Sequence, residues 1–273
     1  MSPSWMVRQM STSKLEILER AIPGRWRWMF QEWFDSTPAL RNLRRHKHAE
    51  LDRIDAELRH PGRWIEPHGA TLGMSERVIE IPWVLSRYGG EQAVLDIGTS
   101  NAYTTYVRHL RELRPNRLRA LDLVHVDRGI PCDRGDMRAM PYDDASFDLV
   151  LCVSTLEHVG MDNTGYGAAE SNDGGDLMAL REVKRILRPE GRLLVTVPFG
   201  LRQNHGWFHQ YDDPEWTALV DSSGLLETEQ QTYSYREGWC LGVPTLGYGE
   251  NQAPGAAGVL CAELTCRKVD ARG

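Results

Sequence analysis

The sequence predicts an α/β protein in which helices cover both faces of a doubly wound, mostly parallel sheet. From Ser75 onward, strand-like and helix-like stretches alternate, which is the pattern of parallel strands joined by crossover helices. The strand-like stretches are nearly continuous apolar runs, as expected for a sheet buried on both faces. The 273 residues are 41% hydrophobic and contain no internal repeat, so we expect one globular unit with an extension.

The individual elements follow from local patterns. The first helix of the α/β unit is predicted to begin at Ser75, an N-cap type of residue, and to stop before Gly89 and Gly90. Later helices are predicted where apolar residues recur at helical spacing. The strands are expected at 93–98, 118–124, 147–154, 192–200, 229–235 and 258–266, the last one antiparallel, and the helices at about 106–113, 174–191 and 215–226.

Residues 1–70 are predicted to form a helical extension to a domain at 71–273. Residues 1–60 carry 11 Lys and Arg against 8 Asp and Glu, a net of +3 in a chain whose net charge is −6. A second helix is predicted from Leu43 to Leu58, and the basic run between Arg41 and Lys47 is interpreted as a solvated face. Because an apolar stripe needs a cover, we expect the extension to close over the site or to build a homodimer, rather than to bind a membrane. The stripe consists of Trp26, Met29, Phe30, Trp33 and Phe34.

Composition argues against several classes of protein. The net charge of −6 and a pI of about 5.9 disfavour a protein that mainly coats nucleic acid. No apolar run is long enough for a membrane helix, and the first residues lack the core of a signal peptide, so a cytoplasmic protein is expected. The 5 cysteines include no Cys-x-x-Cys pair and are interpreted as free thiols.

Polar residues that follow the strands indicate where a ligand binds, because open parallel sheets bind ligands at the carboxyl ends of their strands. Asp96, Gly98 and Asn101 stand at the end of the first strand, and Asp122 stands at the end of the second. A carboxylate at this second position can accept hydrogen bonds from ribose hydroxyls. Of the glycines in a dinucleotide turn only Gly98 is present, so a nucleoside-bearing ligand without a diphosphate is favoured over a nicotinamide cofactor.

These residues resemble those of class I S-adenosylmethionine-dependent methyltransferases, which have a Rossmann-like fold. The motifs that carry the resemblance are VLDIGTSNAY (94–103), the carboxylate of Asp122, the pair Asp136 and Met137, and SFDLVLCVSTLEHVG (146–160). More narrowly, ERVIEIPWVL, TVPFG and GWFHQYD are similar to bacterial methyltransferases that act on sugars or sugar-containing small molecules. The resemblance implies S-adenosylmethionine as the cofactor, bound by Asp96, Gly98, Thr99, Ser100, Asp122, Leu123, Asp136, Met137, Ser154 and Glu157.

Histidines near the strand ends are the candidates for catalysis. His158 is the first choice for a general base, with His209 and His205 next, because imidazole can take a proton at neutral pH. Asn204 and the aromatic residues Trp207, Phe208 and Tyr211 accompany His205 and His209, and such a cluster suits stacking on a sugar face. Carboxylates and an amide at Asp162, Asn163, Asp173 and Asp176 are more often solvated than metal-bound, so no metal site is predicted.

The predicted function is transfer of a methyl group to oxygen or nitrogen of a small hydrophilic acceptor, such as a sugar, an amino sugar or a glycosylated natural product. A nicotinamide-dependent oxidoreductase, a cofactor-binding protein without catalysis and a nucleic-acid methyltransferase that uses the basic run near residue 41 are the alternatives.

Overall fold

The computed structural model describes residues 38–59, 64–125, 127–163 and 174–266. Its centre is an eight-stranded sheet with the strand order β3-β2-β1-β4-β5-β10-β8-β9. The apolar stripe predicted at Trp26 to Phe34 and the candidate Asp173 lie outside the described residues. The strands are β1 Ala93–Ile97, β2 Arg117–Asp122, β3 Cys132–Arg134, β4 Phe147–Val153, β5 Leu187–Pro198, β6 Gln203–Asn204, β7 His209–Gln210, β8 Leu226–Tyr235, β9 Trp239–Leu241 and β10 Gly258–Thr265.

The sheet changes direction at β10. Strands β3, β2, β1, β4 and β5 are parallel neighbours. Strand β10 pairs antiparallel with both β5 and β8, and β8 pairs antiparallel with β9. The predicted doubly wound, mostly parallel α/β sheet with an antiparallel last strand is therefore confirmed.

Helices cover the sheet on both faces and create two apolar cores. One core joins the sheet to the helices that follow β4 and β7, through residues such as Leu180 and Trp216. The other joins it to helices before and after β1, through Val78, Leu110 and the fully buried Ile54. The helices are α1 Pro38–Glu57, α2 Arg77–Leu85, α3 Thr104–Glu112, α4 Gly175–Ile186 and α5 Asp213–Ser223.

The main difference from the predicted elements lies between α4 and β5. The helix was expected to continue to residue 191, but it ends at Ile186, and β5 begins at Leu187. Pro189 explains the early end, because proline disfavours helical backbone at the residue before it and cannot donate to the helix ladder. Leu187 pairs with Phe147, and the register with β4 then shifts before Arg192.

The segment after β5 folds back as a small ribbon in which β6 pairs antiparallel with β7. Phe199 bridges to Tyr211 beside the main sheet, so the ribbon stays close to the end of β5. This places His205 and His209 beyond the carboxyl edge of the parallel strands. Within the described ranges, no helix has the length and apolar character required to cross a bilayer.

Candidate active site

The turn after β1 is tightly packed against the turn after β4. Gly98 has a φ of 89°, and its N–H donates to the Leu121 carbonyl at 3.0 Å. A Cβ at this position would lie 2.1 Å from Oγ1 of Thr155. Glycine at this position therefore lets Thr155 approach, so that the ends of β1 and β4 form one surface.

Asp122, at the end of β2, faces the turn after β1. Its Oδ2 accepts hydrogen bonds from the Ser100 N–H at 2.9 Å and from Ser100 Oγ at 2.6 Å, and its Oδ1 accepts one from the Val124 N–H at 3.0 Å. The carboxylate predicted for ribose therefore lies beside the loop predicted for the cofactor.

Asp96 supports the turn after β1 through hydrogen bonds. It is buried, its Oδ1 accepts a hydrogen bond from the Tyr106 hydroxyl at 2.5 Å, and its Oδ2 accepts one from the Thr99 hydroxyl. Burial raises the pKa of Asp96 to about 7 despite both bonds. Its partners identify Asp96 as a support for the loop that holds Thr99 and Ser100.

Asp136 and Met137 lie at the next strand end, after β3. The Asp136 carboxylate pairs with the Arg138 guanidinium, with Oδ2 at 2.7 Å from Nη2, and Met137 is buried. Burial raises the pKa of Asp136, but the bonds from Arg138 outweigh it and leave the value below the ordinary one. Leu123, on the neighbouring turn, accepts a hydrogen bond through its carbonyl from Arg134 Nε at 3.0 Å.

The turn after β4 connects to a carboxylate that the sequence reading missed. Ser154 has a φ of 42°, unusual for a residue with a side chain, and its Oγ donates to Oε1 of Glu80 at 2.6 Å. Thr196 of β5 donates to the same oxygen at 2.9 Å, and Arg77 donates to Oε2. Glu80 is fully buried in α2, a helix whose residues from 78 to 85 are all buried. A charged residue inside so apolar a helix was the available signal.

Four buried carboxylates interact electrostatically with Arg77, and we call them the acidic cluster: Glu50, Glu76, Glu80 and Glu157. Glu50 Oε1 accepts from the Ser75 N–H at 2.9 Å, and Glu76 Oε2 accepts from the Ala256 N–H at 3.2 Å. Burial raises the pKa of Glu50, and it raises the pKa of Glu76 to about 7 and that of Glu157 to about 8. In neutral or slightly acidic solution, part of the acidic cluster is therefore protonated.

His158 and Glu157 stand side by side in the turn after β4. Nδ1 of His158 lies 2.9 Å from the Trp207 carbonyl, so Nδ1 carries the proton, and Nε2 lies 3.8 Å from Oε1 of Glu157. Burial lowers the pKa of His158 to about 4. Oε2 of Glu157 is buried and has no hydrogen-bond partner in the described part of the chain.

The other two candidate histidines belong to the ribbon. The His205 ring stacks on Phe208 with centroids 4.5 Å apart, and Tyr248 packs against both. Nε2 of His209 lies 3.8 Å from Oδ2 of Asp176, and burial lowers the pKa of His209. His158 lies 4.9 Å from Trp207, so the structure joins His158 and His205 through one aromatic wall of Trp207, Phe208 and Tyr248.

The described residues contain no group of three or more His, Cys, Asp or Glu side chains that could hold a metal ion. Asn163 instead donates to the His158 carbonyl at 2.7 Å, and Asp176 accepts from the Tyr211 hydroxyl at 3.3 Å.

Comparison with known proteins identifies the domain around this site. Residues 95–195 match a family model described as a methyltransferase domain. A stretch of 58 residues, 21% of this chain, is 40% identical to an uncharacterised protein of Methanocaldococcus jannaschii, and it spans only 19% of that protein's length.

Two solved structures with low sequence identity are similar to this chain. The 1,6-didemethyltoxoflavin N1-methyltransferase of Burkholderia thailandensis, solved with S-adenosylhomocysteine, has a TM-score of 0.48 at 16% identity, over 68% of this chain and 76% of its own. The cyclase SpnF has a TM-score of 0.50 at 13% identity, over 82% of this chain and 93% of its own. At such identities the likeness concerns the fold.

The family match covers β1 to β5 and therefore includes the turns after β1, β2 and β4. Residues 95–195 of this chain are thus a methyltransferase domain, and the predicted resemblance to class I S-adenosylmethionine-dependent methyltransferases is confirmed, with S-adenosylmethionine as the cofactor.

Proposed function

We propose that this chain transfers a methyl group from S-adenosylmethionine to oxygen or nitrogen of a small hydrophilic acceptor, such as a sugar, an amino sugar or a glycosylated natural product. The observation that supports it most is the meeting of three turns at one edge of the sheet within the methyltransferase domain. There Gly98 packs on Thr155, and Asp122 bonds to Ser100.

The ribose of the cofactor is assigned to Asp122. An ionised carboxylate offers about four lone-pair sites, and Ser100 and Val124 occupy three of them. The Ser100 hydroxyl can rotate away, because its hydrogen is free to turn, so both ribose hydroxyls can be accommodated. The residues therefore fit a nucleoside at this position.

The adenine is assigned to Met137, Asp136 and Leu123, which follow β2 and β3. Met137 offers an apolar side chain, whereas the Asp136 carboxylate is already paired with Arg138. The backbone N–H and the guanidinium of Arg138 donate to both oxygens of Asp136, so a hydrogen bond from the adenine amino group to Asp136 requires one of these bonds to open.

The methionine portion is assigned to the surface where Gly98 meets Thr155. When bound, the cofactor supplies a methyl group on a positively charged sulfur. The tasks of this chain are then to hold the acceptor in line with that methyl group and to receive the acceptor's proton.

The pair His158 and Glu157 is proposed to receive that proton. His158 presents an unprotonated Nε2, but its pKa of about 4 makes it a weak base at neutral pH. Glu157, whose pKa is about 8, is the stronger base of the two in its ionised form, which it reaches by first releasing the proton that it carries near neutral pH. His205 and His209 are proposed to contact the acceptor. His205 belongs to the aromatic wall, and His209 lies beside Asp176.

Calorimetric titration of S-adenosylhomocysteine into the full-length protein tests the proposed function. We expect binding, and we expect Asp122→Ala to weaken it at least about tenfold, or about 1.4 kcal/mol, because the ribose loses its acceptor. Asp127→Ala is the matched control, since this exposed carboxylate bonds only to the nearby Gly129 N–H at 2.9 Å among the described contacts. No binding by the wild type, or equal binding by Asp122→Ala and Asp127→Ala, would contradict the proposal.

A further inference from the structure

When its four carboxyl groups are all ionised, the acidic cluster holds more negative charge than its own residues balance, and near neutral pH bound protons make up part of the difference. Glu50, Glu76, Glu80 and Glu157 are buried, and the cation that interacts with all four is Arg77. Removing a carboxylate from water is costly unless a proton or a cation compensates it. Four carboxyl groups around one guanidinium are therefore matched best when a further cation lies beside them.

One oxygen of the cluster is available for such a cation. Glu50, Glu76 and Glu80 accept hydrogen bonds from Ser75, Ala256 and Ser154 respectively. Oε2 of Glu157 accepts none within the described residues, although the residue is only 2% exposed. A buried carboxylate oxygen without a donor is rare in folded proteins and points to a donor that a ligand brings.

The position of Glu157 indicates which ligand. Thr155, two residues before it, packs on Gly98 at the turn assigned to the cofactor. His158, the residue after it, packs on Trp207, whose side chain is 44% exposed. Glu157 thus lies between the cofactor turn and the aromatic wall, which is where an acceptor must sit to reach a methyl group.

We propose that the acceptor carries a protonated amine, which Glu157 binds through Oε2, and that this amine nitrogen is the atom methylated. The inference rests on the proposed function and narrows its substrate class from hydroxyl or amine to amine. An ammonium group supplies the hydrogen-bond donor that Oε2 of Glu157 lacks. It also supplies the positive charge that the ionised acidic cluster lacks. Trp207 and its neighbours suit the ring or alkyl part beside it, through stacking and cation–π attraction.

The chemistry balances without another reactant. A bound ammonium group favours the ionised form of Glu157, and the ionised Glu157 then takes one proton from that ammonium. The nitrogen lone pair forms the new bond to the methyl carbon, and the carbon–sulfur bond breaks with its electron pair kept by sulfur. The methylated product keeps one positive charge, and Glu157 releases its proton to solvent.

Binding by matched pairs of small molecules tests the inference. The protein saturated with S-adenosylhomocysteine is titrated with glucosamine and glucose, galactosamine and galactose, and cyclohexylamine and cyclohexanol. We expect at least one amine to bind about tenfold or more tightly than its hydroxyl counterpart. In Glu157→Gln this preference should fall severalfold, and in Glu157→Asp it should partly return. The exposed Glu112→Gln is the control and should keep the full preference.

Each contrary outcome is distinct from a failure of the proposed function. If S-adenosylhomocysteine binds but hydroxyl compounds bind as well as amines, or no amine of the panel binds, the inference is wrong and methyl transfer itself still stands. If Glu157→Gln weakens S-adenosylhomocysteine as strongly as Asp122→Ala, Glu157 serves the cofactor and the inference is also wrong. If S-adenosylhomocysteine does not bind the wild type, the proposed function fails first.

Discussion

Gly98 is the residue on which the packing of the two central turns depends. Its φ of 89° favours glycine, and an added Cβ would overlap the Thr155 side chain. We expect Gly98→Ala to lower the free energy of unfolding by more than the roughly 1–2 kcal/mol of left-handed backbone strain alone. Urea denaturation of the variant measures the loss, and S-adenosylhomocysteine binding should weaken with it.

Gly73 supplies the matched control for this prediction. It has a φ of 75°, but nothing lies within 4 Å of a Cβ built on it. Gly73→Ala therefore reports the backbone strain without the overlap. Equal losses of unfolding free energy in the two variants would mean that Thr155 moves aside at little cost.

Among the elements, α1 is tied to the chain that follows it through one carboxylate. Glu57 accepts hydrogen bonds from Trp64 Nε1 at 3.0 Å and from the His68 N–H at 2.8 Å, and Arg53 pairs with it at 2.7 Å. The segment from Trp64 in turn bonds to the sheet, since the Trp239 N–H donates to Thr71 Oγ1 at 2.6 Å. Residues before the predicted boundary near 70 are thus linked to the α/β unit. The role of the extension as a lid or a dimer element stays a prediction.

Replacing Glu57 tests how much this connection stabilises the protein. Glu57→Gln keeps one oxygen but places an NH2 group against donors, so we expect a loss of about 1–3 kcal/mol in the free energy of unfolding near neutral pH. Burial raises the pKa of Glu57, but the bonds from His68, Trp64 and Arg53 outweigh it and hold the value below the ordinary one.

Glu57 therefore stabilises the fold at pH values above the pKa that it has in the unfolded chain. This stabilisation is lost as the pH falls through the lower pKa that Glu57 has in the folded protein. Below that pH, Glu57→Gln and the wild type should converge in urea denaturation. The exposed Glu112→Gln should match the wild type throughout. A Glu57→Gln variant as stable as the wild type near neutral pH would show that the connection contributes little.

For the whole molecule, the dependence of stability on pH is determined by buried carboxyl groups whose pKa values are raised. Asp96 and Glu76 have pKa values of about 7, and Glu157 of about 8. Since all three lie above the unfolded values near 4, the fold binds their protons more tightly, and stability falls as pH rises from about 4 to 8. His158, at about 4, acts oppositely between about pH 6.5 and 4 because the fold keeps it neutral.

We therefore expect greater stability near pH 6 than near pH 8, measured by urea denaturation. Glu157→Gln removes one titrating group, so its stability should fall less steeply over this range, by up to about 1.4 kcal/mol per pH unit. It should also be more stable than the wild type near pH 8. A parallel pH profile for the two proteins would contradict the raised pKa of Glu157.

The alternation of strands and helices, and the residues at the strand ends, could be predicted from local sequence patterns. Apolar runs such as AVLDI and FDLVLCV are local signals, because burial on both faces of a sheet requires them. The same locality allowed Asp122 and Gly98 to be assigned to a nucleoside. The end of α4 was misjudged although Pro189 is a local signal against helix there, and the start of β5 at Leu187 depends on its pairing with Phe147, which is not local.

The spatial neighbours of these residues follow from the folding of distant segments onto one another. Glu80 lies 74 residues before Ser154 and 116 before Thr196, yet all three share one hydrogen-bonded group. A general base at His158 was inferred from the ordinary pKa of imidazole, which burial against Trp207 lowers. Charge balance, burial and pKa depend on neighbours that chain folding brings together, so the acidic cluster around Arg77 could not be found from local pattern alone.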